Sequence, residues 1–421
     1  IDAFGKAGAE KSQCVLTDTQ KHELNIEADK VTLSRTVFSQ DLRLTVIKNK
    51  QRGILTVNNE GEGALESTVQ NVLEIASASQ QDSAYDISEK QPAQTFDNKI
   101  IKPDLDKMYD RMSAFLKEAK KLYPKTILEQ AILDFTRTTK RFQNSNGAEF
   151  TSSKGIYNFV AMFTTKDGDK ISSFNYSQAS FVDIDKDLIS RGSLNTLLKQ
   201  SSEQVETRQV KDKFVGDIIV TPDCLPDFIS FIADMSLGDA ALIAGTSVYK
   251  DKLGQAIAAP AFTLHSKPVS KEIIDGYDIT PDGYKAENLL IVDKGILKSF
   301  LLSLYGSKKT GIPKAINSGG CYVVEPGDKS FDDMIKSVKK GLLLARFSGG
   351  MPSNNGDFSG VAKNSYYIEN GKIQYPINET MVSGNIADMF KNITSISKER
   401  IDFGSCLLPW VSFNGLTISG K

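Results

Sequence analysis

The run Val215-Gly216-Asp217-Ile218-Ile219-Val220-Thr221-Pro222-Asp223-Cys224-Leu225-Pro226-Asp227-Phe228-Ile229-Ser230-Phe231-Ile232-Ala233-Asp234-Met235 decides how the C-terminal half is built. Its first part is β-branched and apolar and stops at a Thr-Pro, which reads as a strand. A helix is expected behind it. Asp223 is placed to accept from the unpaired N–H groups of the first turn, and Pro226 falls early enough to be tolerated there. Leu225, Phe228, Ile229 and Ile232 share one helical face. The expectation is a strand feeding a buried helix.

Downstream of this run, from about residue 214 to 421, the pattern is mostly β. Asp293-Lys294-Gly295 and Asn370-Gly371 mark hairpins, the latter with the residues that a type I′ turn favours. A helix is expected to open at Asp328–Asp333 and run to about Leu344, and Asp388-Met389-Phe390 falls in another short helix. Antiparallel sheet with a few covering helices fits this better than a doubly wound parallel sheet.

Upstream, residues 1–80 read as an N-terminal α+β domain. Leu24 and Ile26, then Leu42, Leu44 and Val46, alternate with polar neighbours. Asn49–Gly53 reads as a longer hairpin loop before Ile54–Val57. A helix is expected at 64–79, with Leu65, Val69, Val72, Leu73 and Ala76 on one face. Residues 81–104 are polar, hold Pro92 and Pro103, and read as a linker. A middle α+β domain follows at 105–213. It opens with a helix from Asp104 to Tyr123, striped by Leu105, Met108, Met112, Phe115, Ala119 and Leu122. Hairpins turn at Asn144–Gly147 and Lys166–Asp169, and a helix is expected at 184–200. The fold class is therefore α+β: antiparallel sheets with covering helices, N-terminal α/β regions and a mostly β C-terminal domain at 214–421.

Composition excludes several functions. The 421 residues carry 51 basic and 52 acidic side chains, a net charge of −1, which gives no electrostatic footprint for nucleic acid. Cys14, Cys224, Cys321 and Cys406 lie too far apart for a disulfide scaffold or a zinc ribbon, and a reducing cytoplasm is the expected compartment. No apolar run approaches the ~18 residues of a membrane span, and no signal peptide is read at the N-terminus.

Candidate chemistry is sparse. His22 precedes Glu23 but lies on a strand pattern, so it reads as an exposed strand residue. His265 falls at a strand end before Ser266-Lys267-Pro268 and reads as a loop or packing residue. Two distant histidines make a His-based zinc centre a poor fit. Cys406 is either a small buried apolar residue or a nucleophile, for which His265 is the only candidate base. Asp357 either binds a ligand or caps a turn through its own backbone. Gly319-Gly320 reads as a bend, since no phosphate-loop motif occurs. Asp183, Asp185 and Asp187 lack the glycine and glutamate of a calcium loop and read as charge at a helix N-terminus.

Several separated motifs carry a family resemblance. They are Lys252-Leu253-Gly254-Gln255-Ala256-Ile257-Ala258-Ala259, Ser348-Gly349-Gly350-Met351 with Gly356-Asp357-Phe358-Ser359, Tyr367–Ile373 with Val382-Ser383-Gly384-Asn385-Ile386, and the terminal Asn414–Lys421. In this order they resemble the TldD/PmbA family, once named modulators of DNA gyrase. The resemblance weakens over residues 1–210, where it rests on element order and Phe142–Gly147. TldD-type chains carry a His-Glu-x-x-x-His zinc motif on the helix quoted first. Counting back from Gly254, its six positions fall on Ser230, Phe231, Ile232, Ala233, Asp234 and Met235, none of them His or Glu. The resemblance therefore implies a PmbA-type chain with no catalytic or metal residues at Ser230, Phe231 and Met235, no cofactor of its own, and zinc only in a TldD-type partner.

The resemblance further implies a partner, either a TldD-type subunit or a second copy in a homodimer, with extended peptides as substrates and neither nucleic acid nor membrane. Asp357, Phe358, Ser359, Cys406 and His265 are the expected substrate-binding residues, and Cys406 echoes the position of a TldD-type metal ligand. Two other functions stay open: a self-sufficient peptidase, and a non-enzymatic regulator such as the gyrase name suggests.

Overall fold

The computed structural model describes residues 1–27, 30–58, 65–97 and 102–420. Four long strands, Lys11–Glu27, Lys30–Lys48, Thr126–Asn144 and Glu149–Asp167, form the body of the N-terminal sheet. Its order is Gln51–Asn58, Lys30–Lys48, Lys11–Glu27, Thr126–Asn144, Glu149–Asp167, then Gln94–Asp97. The last strand runs parallel to Phe150–Ser153 inside the expected linker. Asn175–Phe181 pairs along the same strand farther on. Lys11–Glu27 bonds directly to Thr126–Asn144, so this sheet crosses the lines drawn at residues 80 and 104.

Helices cover one face. Leu65–Ala78 packs Val69, Val72 and Ala76 over Leu44 and Val46. The residue at 64, where this helix was expected to open, lies outside the described residues. Gly53 lets it sit close, because a Cβ there would fall 2.2 Å from the Val72 carbonyl oxygen. Leu105–Leu122 is capped by Asp104, whose carboxylate accepts from Lys107 N–H. Met108, Met112, Phe115 and Ala119 are buried as expected, but Leu105 and Leu122 at the two ends are exposed.

Four local expectations are corrected. The first hairpin turns on two residues, Asn49 and Lys50, with φ of 53° and 61°, rather than on a five-residue loop. The helix expected at 184–200 is a 3₁₀ turn at Leu188–Ser190 followed by Leu194–Glu203, broken at Gly192 with φ +52°. Asp185 and Asp187 pair with Lys107 and Arg111 of the neighbouring helix rather than charging a helix N-terminus. The helix opened by Ser330 stops at Ser337, and Lys340–Leu344 is a strand. A short apolar run does not distinguish a buried strand from a buried helix by periodicity. Its place parallel to Asp217–Val220 settles the matter, and Gly341 allows it, since a Cβ there would lie 2.0 Å from Asp217 O.

The C-terminal sheet centres on Lys213–Val220, held between Lys340–Leu344 and the antiparallel Leu407–Ser419. The helix Leu225–Ser236 packs on it. Ile218, Val220, Phe228, Ile229, Ile232, Leu342, Leu344, Val411 and Phe413 belong to one buried core.

The N-terminal sheet and the C-terminal region meet at several places. One is a latch formed by residues 82–91. Asp82 accepts from Tyr305 (2.9 Å) and Lys309 (3.0 Å), Asp86 from Lys11 (2.5 Å) and Lys308, and Glu89 from Tyr284 (2.6 Å). Gly283, at φ +83°, fits beneath Phe142, whose ring a Cβ there would approach to 2.1 Å. Another meeting place is a cleft.

Candidate substrate cleft

The helix Leu225–Ser236 begins at the cleft. Its N-cap residue is Cys224, with no side-chain cap bond, so Asp223 does not cap it as the sequence suggested. The Asp223 carboxyl instead hydrogen-bonds Ser193 and lies near Arg346. Burial raises its pKa above the ordinary carboxylate range against both neighbours. Asp227, one turn on, is raised in the same way, and Arg346 offsets part of the effect. One turn deeper the helix changes character. Phe231 is 9% exposed and joins an aromatic cluster with Phe228, Phe347 and Phe358, at ring separations of 5.3 to 6.4 Å. Met235 packs against the same core, and Ser230 is half-buried.

The cleft has a volume of about 530 Å³. One wall is Ser173, Phe174, Tyr176, Ser177 and Gln178. The other brings together the first turn of the helix, Arg346 and Phe347, Lys363 and Asn364, and the Phe403–Cys406 turn. Arg346 bridges the walls: its Nε donates to Asn175 Oδ1 (3.2 Å), its Nη2 donates to Tyr176 O, and its guanidinium lies 4.0 Å from the centre of the Tyr176 ring. Two strands at the cleft are paired on one side only among the described residues. Arg346–Gly349 bonds to Asp357–Lys363, and Asn175–Phe181 bonds to Glu149–Asp167, apart from a single bond from Ser180 N–H to Phe403 O.

Of the residues expected to bind substrate, Cys406 lines this cleft. Burial pushes its thiol pKa up to about 12, with Asp223 and Asp402 adding to the rise, so it is held as a thiol. His265 does not join it. His265 pairs with Val323, and Val323 with Leu407, so Cys406 is one residue off that row. His265 Nε2 is instead 3.0 Å from Glu325, while burial and Lys267 lower the ring's pKa. Asp357 and Ser359 are exposed at the far end of their strand, outside the cleft lining. Asp357 accepts from Asn355 Nδ2 (2.8 Å) and Asn385 Nδ2 (2.9 Å) and so ties its own loop together. Phe358 turns inward and is 4% exposed in the aromatic cluster. His22 is half-buried on its strand, with Nδ1 2.9 Å from Thr36 Oγ1.

Residues 214–420 match the PmbA/TldA metallopeptidase C-terminal domain. The metalloprotease PmbA homolog of Haemophilus influenzae is 26% identical over 453 residues, covering 99% of this chain and 94% of that relative. Metalloprotease PmbA of Escherichia coli O157:H7 is 28% identical over 407 residues, covering 90% and 87%. The C-terminal half of the chain belongs to the TldD/PmbA family. The fold of the chain is also that of TldE from Thermococcus kodakarensis, with a TM-score of 0.85 at 15% identity over 99% of this chain and 98% of the other. A Bacteroides thetaiotaomicron protein that carries the name modulator of DNA gyrase superposes with a TM-score of 0.88 at 22% identity, over 100% and 97%.

The donor set on the helix Leu225–Ser236 does not fit a catalytic zinc. At the positions counted from the sequence, Ser230 and Met235 are poor ligands for zinc and Phe231 cannot polarise a water. No three His, Cys, Asp or Glu side chains converge as a metal site among the described residues. Sequence reasoning missed Arg346, Asp227, Asn175, Ser177 and Asn364. They come from distant segments with no spacing in common. The signals available were a lone arginine ending the apolar run Leu342–Ala345, and an Asn-Ser pair after a strand. No helix among the described residues is long and apolar enough to cross a membrane.

Proposed function

We propose that this chain is a PmbA-type subunit that binds extended peptide and works with a TldD-type chain, which supplies the zinc and the general base. The complex would degrade or mature unfolded peptides in the cytoplasm. The observation that carries this reading is the contrast along one helix. At its first turn a polar cleft stays open. At the motif positions Phe231 and Met235 have become packing, which no metal chemistry could use. The one-sided strand Arg346–Gly349 offers main-chain groups to which an extended peptide can add. Incubating the purified chain with reduced, unfolded casein, alone and with a TldD-type chain, tests this. The expected result is no cleavage alone, and cleavage, abolished by a chelator, when both are present. Cleavage by this chain alone would overturn the reading in favour of a self-sufficient peptidase.

A further inference from the structure

Buried side-chain polar atoms are nearly always paired, because an unpaired one loses its hydration without compensation. Three exceptions among the described residues gather at the cleft: Asn175 Nδ2, Ser177 Oγ and Asn364 Oδ1. Their residues are 1%, 4% and 5% exposed. Ser177 and Asn364 line the cleft, and Asn175 holds the Arg346 that bridges it.

The orientations of both amides are set by their other ends. Asn364 Nδ2 donates to Phe174 O (3.0 Å), so a flipped amide would set oxygen against oxygen. Asn175 Oδ1 accepts from Arg346 Nε (3.2 Å) and from Tyr176 N–H (3.0 Å), which leaves Nδ2 as its open end. The cleft therefore has one committed donor, one committed acceptor and a hydroxyl that can serve as either. A peptide group presents the matching pair, a C=O and an N–H.

We propose that Asn175, Ser177 and Asn364 form a main-chain clamp that holds a peptide group of an extended substrate whatever its side chains. This rests on the reading of the cleft as a peptide site and assigns the residues that do the holding. Asn175 Nδ2 donates to the peptide carbonyl, Asn364 Oδ1 accepts the peptide N–H, and Ser177 Oγ completes the set. The three atoms are buried in the free chain. Docking therefore requires the rim to give way, and its exposed side chains are Phe174 (52%) and Tyr176 (39%).

The test is fluorescence anisotropy of the full chain with a fluorescein-labelled decapeptide of alternating alanine and serine. A second probe of the same sequence carries N-methyl groups at its central peptide bonds. Asn364→Gly keeps the positive φ of 52° at that position while removing the amide, and Ser177→Ala removes only the hydroxyl. Asn364→Gly is expected to weaken binding of the plain probe roughly fivefold to tenfold. On the methylated probe, the Asn364→Gly variant and the unmutated chain should bind alike, because the N–H that Asn364 accepts is gone. Ser177→Ala should weaken the plain probe by a similar factor without lowering the unfolding midpoint. Equal binding of the plain probe by all three proteins overturns the clamp while leaving the peptide reading intact, as does an equal Asn364→Gly loss on both probes. Failure of the unmutated chain to bind either probe overturns the peptide reading and the clamp with it.

Discussion

Two of the places where the halves of the molecule meet, the latch and the cleft, treat their acids in opposite ways. In the latch, Asp82, Asp86 and Glu89 all have lowered pKa values, and each carboxylate is matched by a lysine or tyrosine of the same chain. In the cleft, Asp223 and Asp227 have raised pKa values, and nearby side-chain atoms lack partners. A surface whose charges are complemented from within holds the fold together. One left partly uncomplemented is available to a ligand.

The largest expected effect lies in the wall behind the cleft. Phe228 is fully buried and touches Phe231, Phe347 and Phe358, so Phe228→Ala should cost about 3–5 kcal/mol in chemical denaturation. A loss below about 1 kcal/mol would mean that this wall is not a packed core. Next comes the latch. Asp86→Ala leaves Lys11 and Lys308 facing each other without their shared carboxylate and should cost about 2 kcal/mol, with little change in peptide binding. Arg346→Ala should show the reverse balance: about 1 kcal/mol of stability, but a clear loss of peptide affinity as Asn175 and Tyr176 lose their anchor. If the latch variant lost binding and the Arg346 variant kept it, the division of labour drawn between the two surfaces would be reversed.

The smallest effect is on pH dependence, and its sign differs between the two sites. Burial alone would raise the pKa of Asp86, but the hydrogen bonds from Lys11 and Lys308 outweigh it and the net shift is downward. The latch therefore contributes fully above the ordinary carboxylate pKa of about 4 and is lost as pH falls through the lower, folded value. Asp223 and Asp227 are shifted upward, so the folded chain holds their protons more tightly than the unfolded chain does. Stability from this pair falls as pH rises through their folded values, and mild acidification relieves it. Unfolding midpoints of Asp86→Asn and Asp227→Asn followed from pH 7 to pH 3 should converge on those of the unmutated protein at the acid end. The Asp86 variant should be the less stable of the two near neutrality.

Local chemistry made much of the fold legible. Asn370-Gly371 turns a hairpin because both residues take positive φ, and Leu225, Phe228, Ile229 and Ile232 are buried together because they share a helix face. Lys340–Leu344 was misread because four buried apolar residues look alike in a strand and in a helix, and only the neighbouring Asp217–Val220 distinguishes them. The candidate site was less legible for a similar reason. The motif count pointed to Ser230, Phe231 and Met235, but an absence of ligands does not say where a substrate lies. The cleft joins residues 177, 223, 346, 364 and 406, which only tertiary packing brings together. Asp357 and Phe358 stood behind a polar, glycine-rich run, yet one ties a loop and the other fills a core.

Bound zinc per chain, measured by elemental analysis of the full chain purified without chelator and kept apart from any TldD-type partner, tests the central claim most directly. The account predicts a ratio near zero, with zinc appearing only when a TldD-type chain is added. A ratio near one for this chain alone would contradict it. That result would mean a metal is held by residues other than Ser230, Phe231 and Met235.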